Sequence, residues 1–140
     1  MKKILFVEDD LSVFEMLKNQ LDDTYEIERA SAVDEAIGAT TYGGPFDCYV
    51  IDLLIVSIGL SLSEMAEYKD RQGYAFIKNY LWKNKNEKQI KEIKSKTIIC
   101  SRYITDFKKE FRNEIGDMYL IDKTKGFEKK VASLIRKICK

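Results

Sequence analysis

The sequence predicts an α/β fold, in which a doubly wound sheet of five parallel strands carries helices on both faces. Two observations support this prediction. Short apolar runs, typical of buried strands, alternate five times with segments whose apolar residues recur at helical spacing. The central run, Cys48 to Ile51, has no polar alternation, so we expect that strand to be buried on both faces. The length suits one domain with its own core, covering residues 1–140.

Two strands are predicted before the central one, over residues 3–7 and 25–30. Each is followed by apolar residues at helical spacing, and the second helix ends at the Gly43-Gly44-Pro45 turn. The residues that define these two helices are Leu11, Phe14, Leu17 and Leu21, and then Val33, Ala36 and Ile37.

Two further strands are predicted after the central one, over residues 97–100 and 118–121. Three helical patterns accompany them, and the last is the clearest in the chain. Their apolar residues are Tyr74, Ile77 and Leu81, then Ile104, Phe107 and Phe111, and finally Phe127, Val131, Leu134, Ile135 and Ile138.

Composition excludes several function classes. The chain has no histidine, which excludes histidine-based triads and histidine metal sites. Its net charge of +1 predicts no polyanionic partner, so we expect neither a nucleic acid nor a membrane surface as partner. Three cysteines without CxxC spacing favour reduced thiols in the cytoplasm over zinc or a disulfide framework. No signal peptide or membrane span is apparent.

Polar residues directly follow four of the predicted strands. The carboxyl ends of parallel strands share one edge of a sheet, where ligands bind. Clustered carboxylates there suit a hard divalent cation such as Mg²⁺, and a nearby lysine and hydroxyl suit phosphoryl oxygens. Asp52 would then be a nucleophile toward phosphorus. The simpler alternative is that the first three acids cap the first helix. These strand-end residues are Glu8, Asp9 and Asp10, then Asp52, Ser101 and Lys123.

This ordered set resembles the receiver domain of two-component response regulators. The resemblance lies in residues 4–10, in Val50-Ile51-Asp52-Leu53, in Ser101 and in Asp122-Lys123. It implies a flavodoxin-like strand order of 2-1-3-4-5. It also implies that Asp52 is the phospho-acceptor, that Glu8, Asp9, Asp52 and the carbonyl of Leu54 bind Mg²⁺, and that Ser101 and Lys123 contact the phosphoryl group.

The resemblance also implies partners. A receiver takes its phosphoryl group from a histidine kinase or a phosphotransfer protein, which supplies the histidine that this chain lacks, and it then switches conformation for a downstream protein partner. Such a chain is a regulated protein in signal transduction and not an enzyme, and a homodimer is left open. The alternative is a pseudo-receiver, a protein-interaction module that keeps the fold without regulated phosphorylation.

Several positions depart from the receiver pattern. Arg102 follows Ser101 where a small residue is usual, Thr124 replaces the usual proline, and Leu120 takes the place of an aromatic residue, with Tyr119 beside it. An insertion begins at Ile55. It is either a loop packed over the third helix, or a partner-binding surface or a lid over Asp52. Ser61 and Glu64 fit a capping box, which predicts that the third helix starts near Leu62. A lysine-rich segment, residues 83–96, is expected to extend that helix into solvent.

Overall fold

The computed structural model describes residues 1–140 and contains one sheet of five parallel strands in the order β2-β1-β3-β4-β5. The predicted fold class and strand order are therefore confirmed. The strands are β1 Lys2–Val7, β2 Tyr25–Ala30, β3 Cys48–Ile51, β4 Thr97–Ser101 and β5 Tyr119–Asp122.

Seven α-helices connect and cover these strands. Helices α2 and α4 continue into π-helical turns at Ala39–Gly43 and Ile77–Leu81. None of the helices is both long and apolar enough to cross a bilayer. The helices are α1 Leu11–Lys18, α2 Val33–Gly38, α3 Leu62–Tyr68, α4 Gln72–Phe76, α5 Glu87–Lys94, α6 Ile104–Ile115 and α7 Phe127–Ile138.

The central strand shows why the fold needs helices on both faces. All four residues of β3 are buried. Successive side chains of a strand point to opposite faces of the sheet, so both faces of β3 must be covered. Tyr49 and Ile51 enter a core formed with α2, α4 and α6. Cys48 and Val50 enter a second core formed with α1 and α7. Two separate cores therefore fix the register of the strand that ends in Asp52.

The insertion, residues 55–71, contains a helix of its own. The capping box between Ser61 and Glu64 is present and starts α3, as the sequence predicts. However, α3 ends at Tyr68, Lys69 has a φ of 49°, and α4 begins anew at Gln72. A helix therefore starts at Leu62 as expected, but it is separate from the helix that carries Tyr74. The Glu64 carboxylate also accepts hydrogen bonds from the Asn79 amide at 2.8 Å and the Tyr80 hydroxyl at 3.0 Å, which hold α3 against the π-helical turn that continues α4.

The first part of the insertion packs across the start of α2. Val56 forms an isolated parallel bridge with Ala32. The N–H of Val33 donates to the carbonyl of Val56 at 3.1 Å, and that of Asp34 donates to the carbonyl of Ile58 at 2.7 Å. Ala32, at the N-cap position, offers no side-chain bond, so these carbonyls take the place of a cap. The packed-loop alternative therefore describes the insertion, whose first part packs on α2 and whose helix α3 packs beside α4, with the Tyr68 and Tyr74 rings in edge-to-face contact.

The lysine-rich segment also differs from the expected helix extension. A turn interrupts the chain after Leu81, and Asn86 starts the separate helix α5 with a capping box of its own. No residue of α5 is buried. The Lys96 carbonyl accepts from the N–H of Tyr49 at 2.9 Å, so the segment rejoins the sheet at the amino end of β4. The basic residues therefore lie at the edge opposite the acidic strand ends.

Candidate functional site

A cavity of about 190 Å³ opens at the carboxyl edge of the sheet, between the ends of β1, β3, β4 and β5. It contains every site residue that the sequence predicts. Three further residues also line it, and only the arginine among them was singled out from the sequence. The lining residues are Glu8, Asp9, Asp10, Val13, Asp52, Leu54, Ser101, Arg102, Tyr103 and Lys123.

Asp52 lines this cavity and follows β3 directly. Its backbone N–H donates to the carbonyl of Val7 at 2.9 Å, which continues the pairing of β1 with β3 by one residue. Only 8% of the residue is exposed. The N–H of Leu54 donates to Asp52 Oδ1 at 3.3 Å and so holds one carboxylate oxygen, while Oδ2 faces Lys123.

Lys123 reaches into the same space from the end of β5. Its backbone N–H donates to the carbonyl of Ser101 at 3.1 Å, and this bond fixes the backbone position of Lys123 beside the end of β4. Its Nζ donates to Asp52 Oδ2 and to Glu8 Oε1, both at 2.6 Å. Burial opposes the charge on Lys123, but Asp52 and Glu8 together raise its pKa above the usual lysine value. The ammonium group therefore stays charged between two carboxylates.

Glu8 is the most deeply buried acid of the site, with 3% of the residue exposed. Burial, and then the nearby Asp52, raise the pKa of Glu8 to about 7, although Lys123 acts in the opposite direction. The N–H of Asp10 donates to Glu8 Oε2 at 3.2 Å and fixes the second oxygen. Near neutral pH this carboxylate is poised between its protonated and ionised forms.

Glu8, Asp9 and Asp52 form an acidic cluster suited to a metal ion. Each offers a carboxylate oxygen, and these oxygens lie within 4.8 Å of one another. Asp9 is exposed, so an ion held here would keep contact with water. Hard oxygen donors with room for water suit Mg²⁺, which retains several of its waters and accepts one or two carboxylates. The residues therefore fit the predicted Mg²⁺ site, and Leu54 lines the same cavity.

Asp10 has a different role from its two neighbours. Its carboxylate accepts hydrogen bonds from the N–H groups of Ser12 at 2.9 Å and Val13 at 3.3 Å. It is the N-cap of α1. The capping alternative is therefore correct for Asp10, while Glu8 and Asp9 face the cavity.

Ser101 and the two residues after it form the wall on the β4 side. The Ser101 side chain is fully buried, and its hydroxyl oxygen accepts a hydrogen bond from the N–H of Tyr103 at 3.3 Å. Arg102 is exposed at the rim and makes no ion pair, so the contact with the acidic cluster that an arginine here could make is absent. Tyr103 was not predicted as a site residue. Its place two residues after Ser101 was the only available signal.

Strand β5 carries Leu120, and no aromatic residue, at the position singled out in the sequence. Leu120 packs against the first core, and Tyr119 packs against the second, on the other face of the sheet. The Tyr119 ring lies 5.6 Å from Nζ of Lys137. No aromatic side chain of β5 therefore faces the side of the sheet on which α4 and α6 pack.

No protein-family model matches the chain, and no curated protein matches it significantly in sequence. Solved structures do match it in fold. The receiver domain of the Francisella response regulator 1452 superposes with a TM-score of 0.66 at 18% identity, covering 99% of this chain and 96% of that chain. The chemotaxis protein CheY4 of Vibrio cholerae gives a TM-score of 0.62 at 21% identity, covering 97% of this chain and 98% of that chain.

A third solved structure is similar over almost its whole length. The response regulator protein TrrA from Thermotoga maritima, in complex with Mg²⁺-BeF, gives a TM-score of 0.60 at 23% identity and covers 99% of each chain. These likenesses extend over nearly the whole chain, and they establish the fold that all three share.

Proposed function

We propose that this chain, which has the fold of response regulator receiver domains, accepts a phosphoryl group on Asp52 and changes its surface for a partner protein. The observation that carries the proposal is the arrangement around Asp52. A buried carboxylate at a strand end faces Nζ of Lys123 at 2.6 Å, and two other acids lie within 4.8 Å of its oxygens. That combination suits in-line transfer to a carboxylate oxygen.

The transfer step needs a donor from outside the chain, because the sequence contains no histidine. We infer a phosphohistidine of a kinase or of a phosphotransfer protein. A carboxylate oxygen of Asp52 attacks phosphorus, an oxygen–phosphorus bond forms, and the phosphorus–nitrogen bond to the donor imidazole breaks. The electron pair of that bond leaves with the imidazole. Lys123 would move from the Asp52 oxygen to a phosphoryl oxygen, and the Ser101 hydroxyl would donate to another.

Glu8, Asp9, Asp52 and the carbonyl of Leu54 would hold Mg²⁺. When bound, the cation supplies positive charge against the phosphoryl oxygens. The acidic cluster supports this assignment, as does the complex of TrrA with Mg²⁺-BeF, whose fold is shared.

The expected output is a change in the loops that carry Ser101 and Lys123. Phosphorylation adds charge and strong acceptor oxygens, so it draws the hydroxyl and the ammonium group inward. The segment after β4 and the end of β5 would move with them, and a downstream protein would bind one of the two states. We place this regulated, non-enzymatic signalling function in the cytoplasm.

The second candidate is the pseudo-receiver. Lys123 already bridges Glu8 and Asp52, and so neutralises part of the acidic cluster without a metal ion. A chain that stays in this state would bind its partners without phosphorylation.

Incubation with acetyl phosphate and Mg²⁺, followed by intact-mass measurement, separates the two candidates. We expect the parent to gain one phosphoryl group and Asp52→Asn to gain none. Asp122→Asn is the matched control, since Asp122 is exposed at the same sheet edge outside the cavity, and it should gain the group like the parent. An unmodified parent would favour the pseudo-receiver. Equal modification of Asp52→Asn would show that another residue is the acceptor.

A further inference from the structure

We infer that Arg29 is a positioning residue for the acid pair Glu8 and Asp9, an inference that rests on the proposed function. Arg29 lies on β2, one residue before the strand ends, and it was not predicted as a site residue. Its Nε donates to the carbonyl of Glu8 at 3.1 Å and its Nη2 donates to the carbonyl of Asp9 at 2.9 Å. One guanidinium group therefore holds two successive peptide units of the acidic segment.

The guanidinium is itself held in place. Its Cζ lies 5.6 Å from the ring centroid of Phe14, which is buried on α1. The Phe14 ring meets that of Phe6 edge to face, with centroids 5.7 Å apart. The planar group is thus fixed between an aromatic face and two carbonyl oxygens, an arrangement that favours arginine over lysine.

These hydrogen bonds fix the backbone positions of the two acids that would bind the metal ion. The N–H of Glu8 donates to the carbonyl of Ala30 at 3.0 Å, which is the last ladder bond between β1 and β2. Beyond it the chain leaves the sheet and has no strand partner until Asp10 caps α1. Arg29 supplies the two bonds across this gap. By fixing the carbonyls of Glu8 and Asp9, it fixes the backbone from which both carboxylates project into the cavity.

The positive charge of Arg29 and its two hydrogen bonds have opposite effects on Mg²⁺ affinity. A cation beside the acidic segment reduces repulsion among the carboxylates and disfavours a second cation nearby. A purely electrostatic role therefore predicts tighter Mg²⁺ binding when the charge is removed. A positioning role predicts weaker binding whenever the two-pronged contact is lost, even if the charge stays.

The test uses the full chain, with Arg29→Lys and Arg29→Gln, and Arg136→Lys as the matched control. Arg136 also donates to a backbone carbonyl, that of Gln20 at 3.3 Å, but it lies on α7 and does not line the cavity. Mg²⁺ affinity is measured by calorimetry on each protein, after a thermal melt has shown that each one folds. The Mg²⁺ dependence of phosphorylation by acetyl phosphate is then measured for each.

We expect Arg29→Lys and Arg29→Gln to weaken Mg²⁺ binding by about tenfold, the usual effect of removing a group that orients a metal ligand. The Mg²⁺ concentration for half-maximal phosphorylation should rise by the same factor, while the maximal rate at saturating Mg²⁺ changes less. Arg136→Lys should match the parent in both measurements.

Unchanged Mg²⁺ affinity in Arg29→Lys would overturn the inference. Unchanged affinity in Arg29→Lys with tighter binding in Arg29→Gln would also overturn it, and would assign the residue an electrostatic role only. A loss of the same size in Arg136→Lys would show a general effect on stability and would equally overturn it. A parent that neither binds Mg²⁺ nor takes the phosphoryl group contradicts the proposed function itself, which is a separate outcome.

Discussion

Gly73 lies so close to the backbone of Asp52 that no side chain fits between them. A Cβ at Gly73 would be 1.9 Å from the Asp52 carbonyl oxygen and 2.9 Å from its carbonyl carbon. The N–H of Gly73 also donates to the carbonyl of Leu53 at 2.9 Å. The first turn of α4 therefore rests directly on the end of β3, and it fixes the peptide that carries the acceptor.

Gly73→Ala should therefore destabilise the protein and displace Asp52. Because the added methyl group meets backbone atoms, the strand end or α4 must shift, at a cost of about 1–3 kcal/mol. Gly38→Ala is the control, since nothing lies within 4 Å of a Cβ there and the helix gains about 0.5–1 kcal/mol. Urea unfolding measures both changes. Equal stability of Gly73→Ala and the parent would contradict the close approach.

Asp9→Ala should abolish most of the stabilisation that Mg²⁺ gives. It removes one direct ligand, and it should leave the metal-free protein equally or more stable because the remaining carboxylates repel each other less. Asp10→Ala provides the contrast. It should lower stability by about 1 kcal/mol through loss of the α1 cap, while most of the Mg²⁺ effect remains. Thermal melts with and without Mg²⁺ measure both, and equal metal effects in Asp9→Ala and the parent would contradict the ligand assignment.

Ionisation of Glu8 should make the metal-free protein less stable as the pH rises toward neutrality. Burial raises its pKa from 4.5 to about 7, so the folded protein holds this proton more tightly than the unfolded chain does. The stabilising contribution is complete below pH 4.5 and is lost as the pH rises through 7. The loss is on the order of 3 kcal/mol.

Glu8→Gln should flatten this part of the stability curve, since a glutamine does not titrate. The measurement is the free energy of unfolding between pH 4 and 8 without Mg²⁺. Glu26→Gln, at an exposed position on β2, is the control and should follow the parent. A Glu8→Gln curve parallel to that of the parent would rule out this assignment. Mg²⁺ binding by the parent should also tighten as the pH rises, because the ion competes with the proton.

Arg102→Ala should shorten the lifetime of the phosphorylated form. The guanidinium lies at the cavity rim without an ion pair, so it is free to hold a phosphoryl oxygen once one is present. Loss of that contact should speed phosphoryl loss by about fivefold, equivalent to about 1 kcal/mol. Uptake from acetyl phosphate should be faster by a smaller factor, because removing the side chain only widens the approach. If uptake and loss both match the parent, Arg102 is a surface residue with no role in the site.

The sheet and the main site residues could be predicted because their signals are local. A run such as β3, buried on both faces, is recognisable from four consecutive apolar residues, and the polar residue after it marks the ligand-binding edge. The capping boxes of α3 and α5 are equally local, and the first was predicted correctly from Ser61 and Glu64.

The features that were missed depend on contacts between distant residues. The helix stop at Lys69 carries no glycine, so nothing in the sequence separates α3 from α4. Arg29 contacts Glu8 and Asp9, which lie 20 or more positions away along the chain, because their strands pair. An arginine in a strand does not by itself indicate that it donates hydrogen bonds to backbone carbonyls. The double ion pair of Lys123 likewise depends on three strand ends meeting, which fixes a distance that spacing along the chain cannot give.

The bonding between the insertion and α2 means that residues 55–71 are not a dispensable loop. A shortened chain that joined β3 directly to α4 would leave the N–H groups of Val33 and Asp34 without acceptors and would expose the start of a helix that has no cap of its own. Engineering a minimal version of this domain therefore requires a second change at a distant position. Ala32 would have to become serine or aspartate, whose side chain could accept the orphaned bonds.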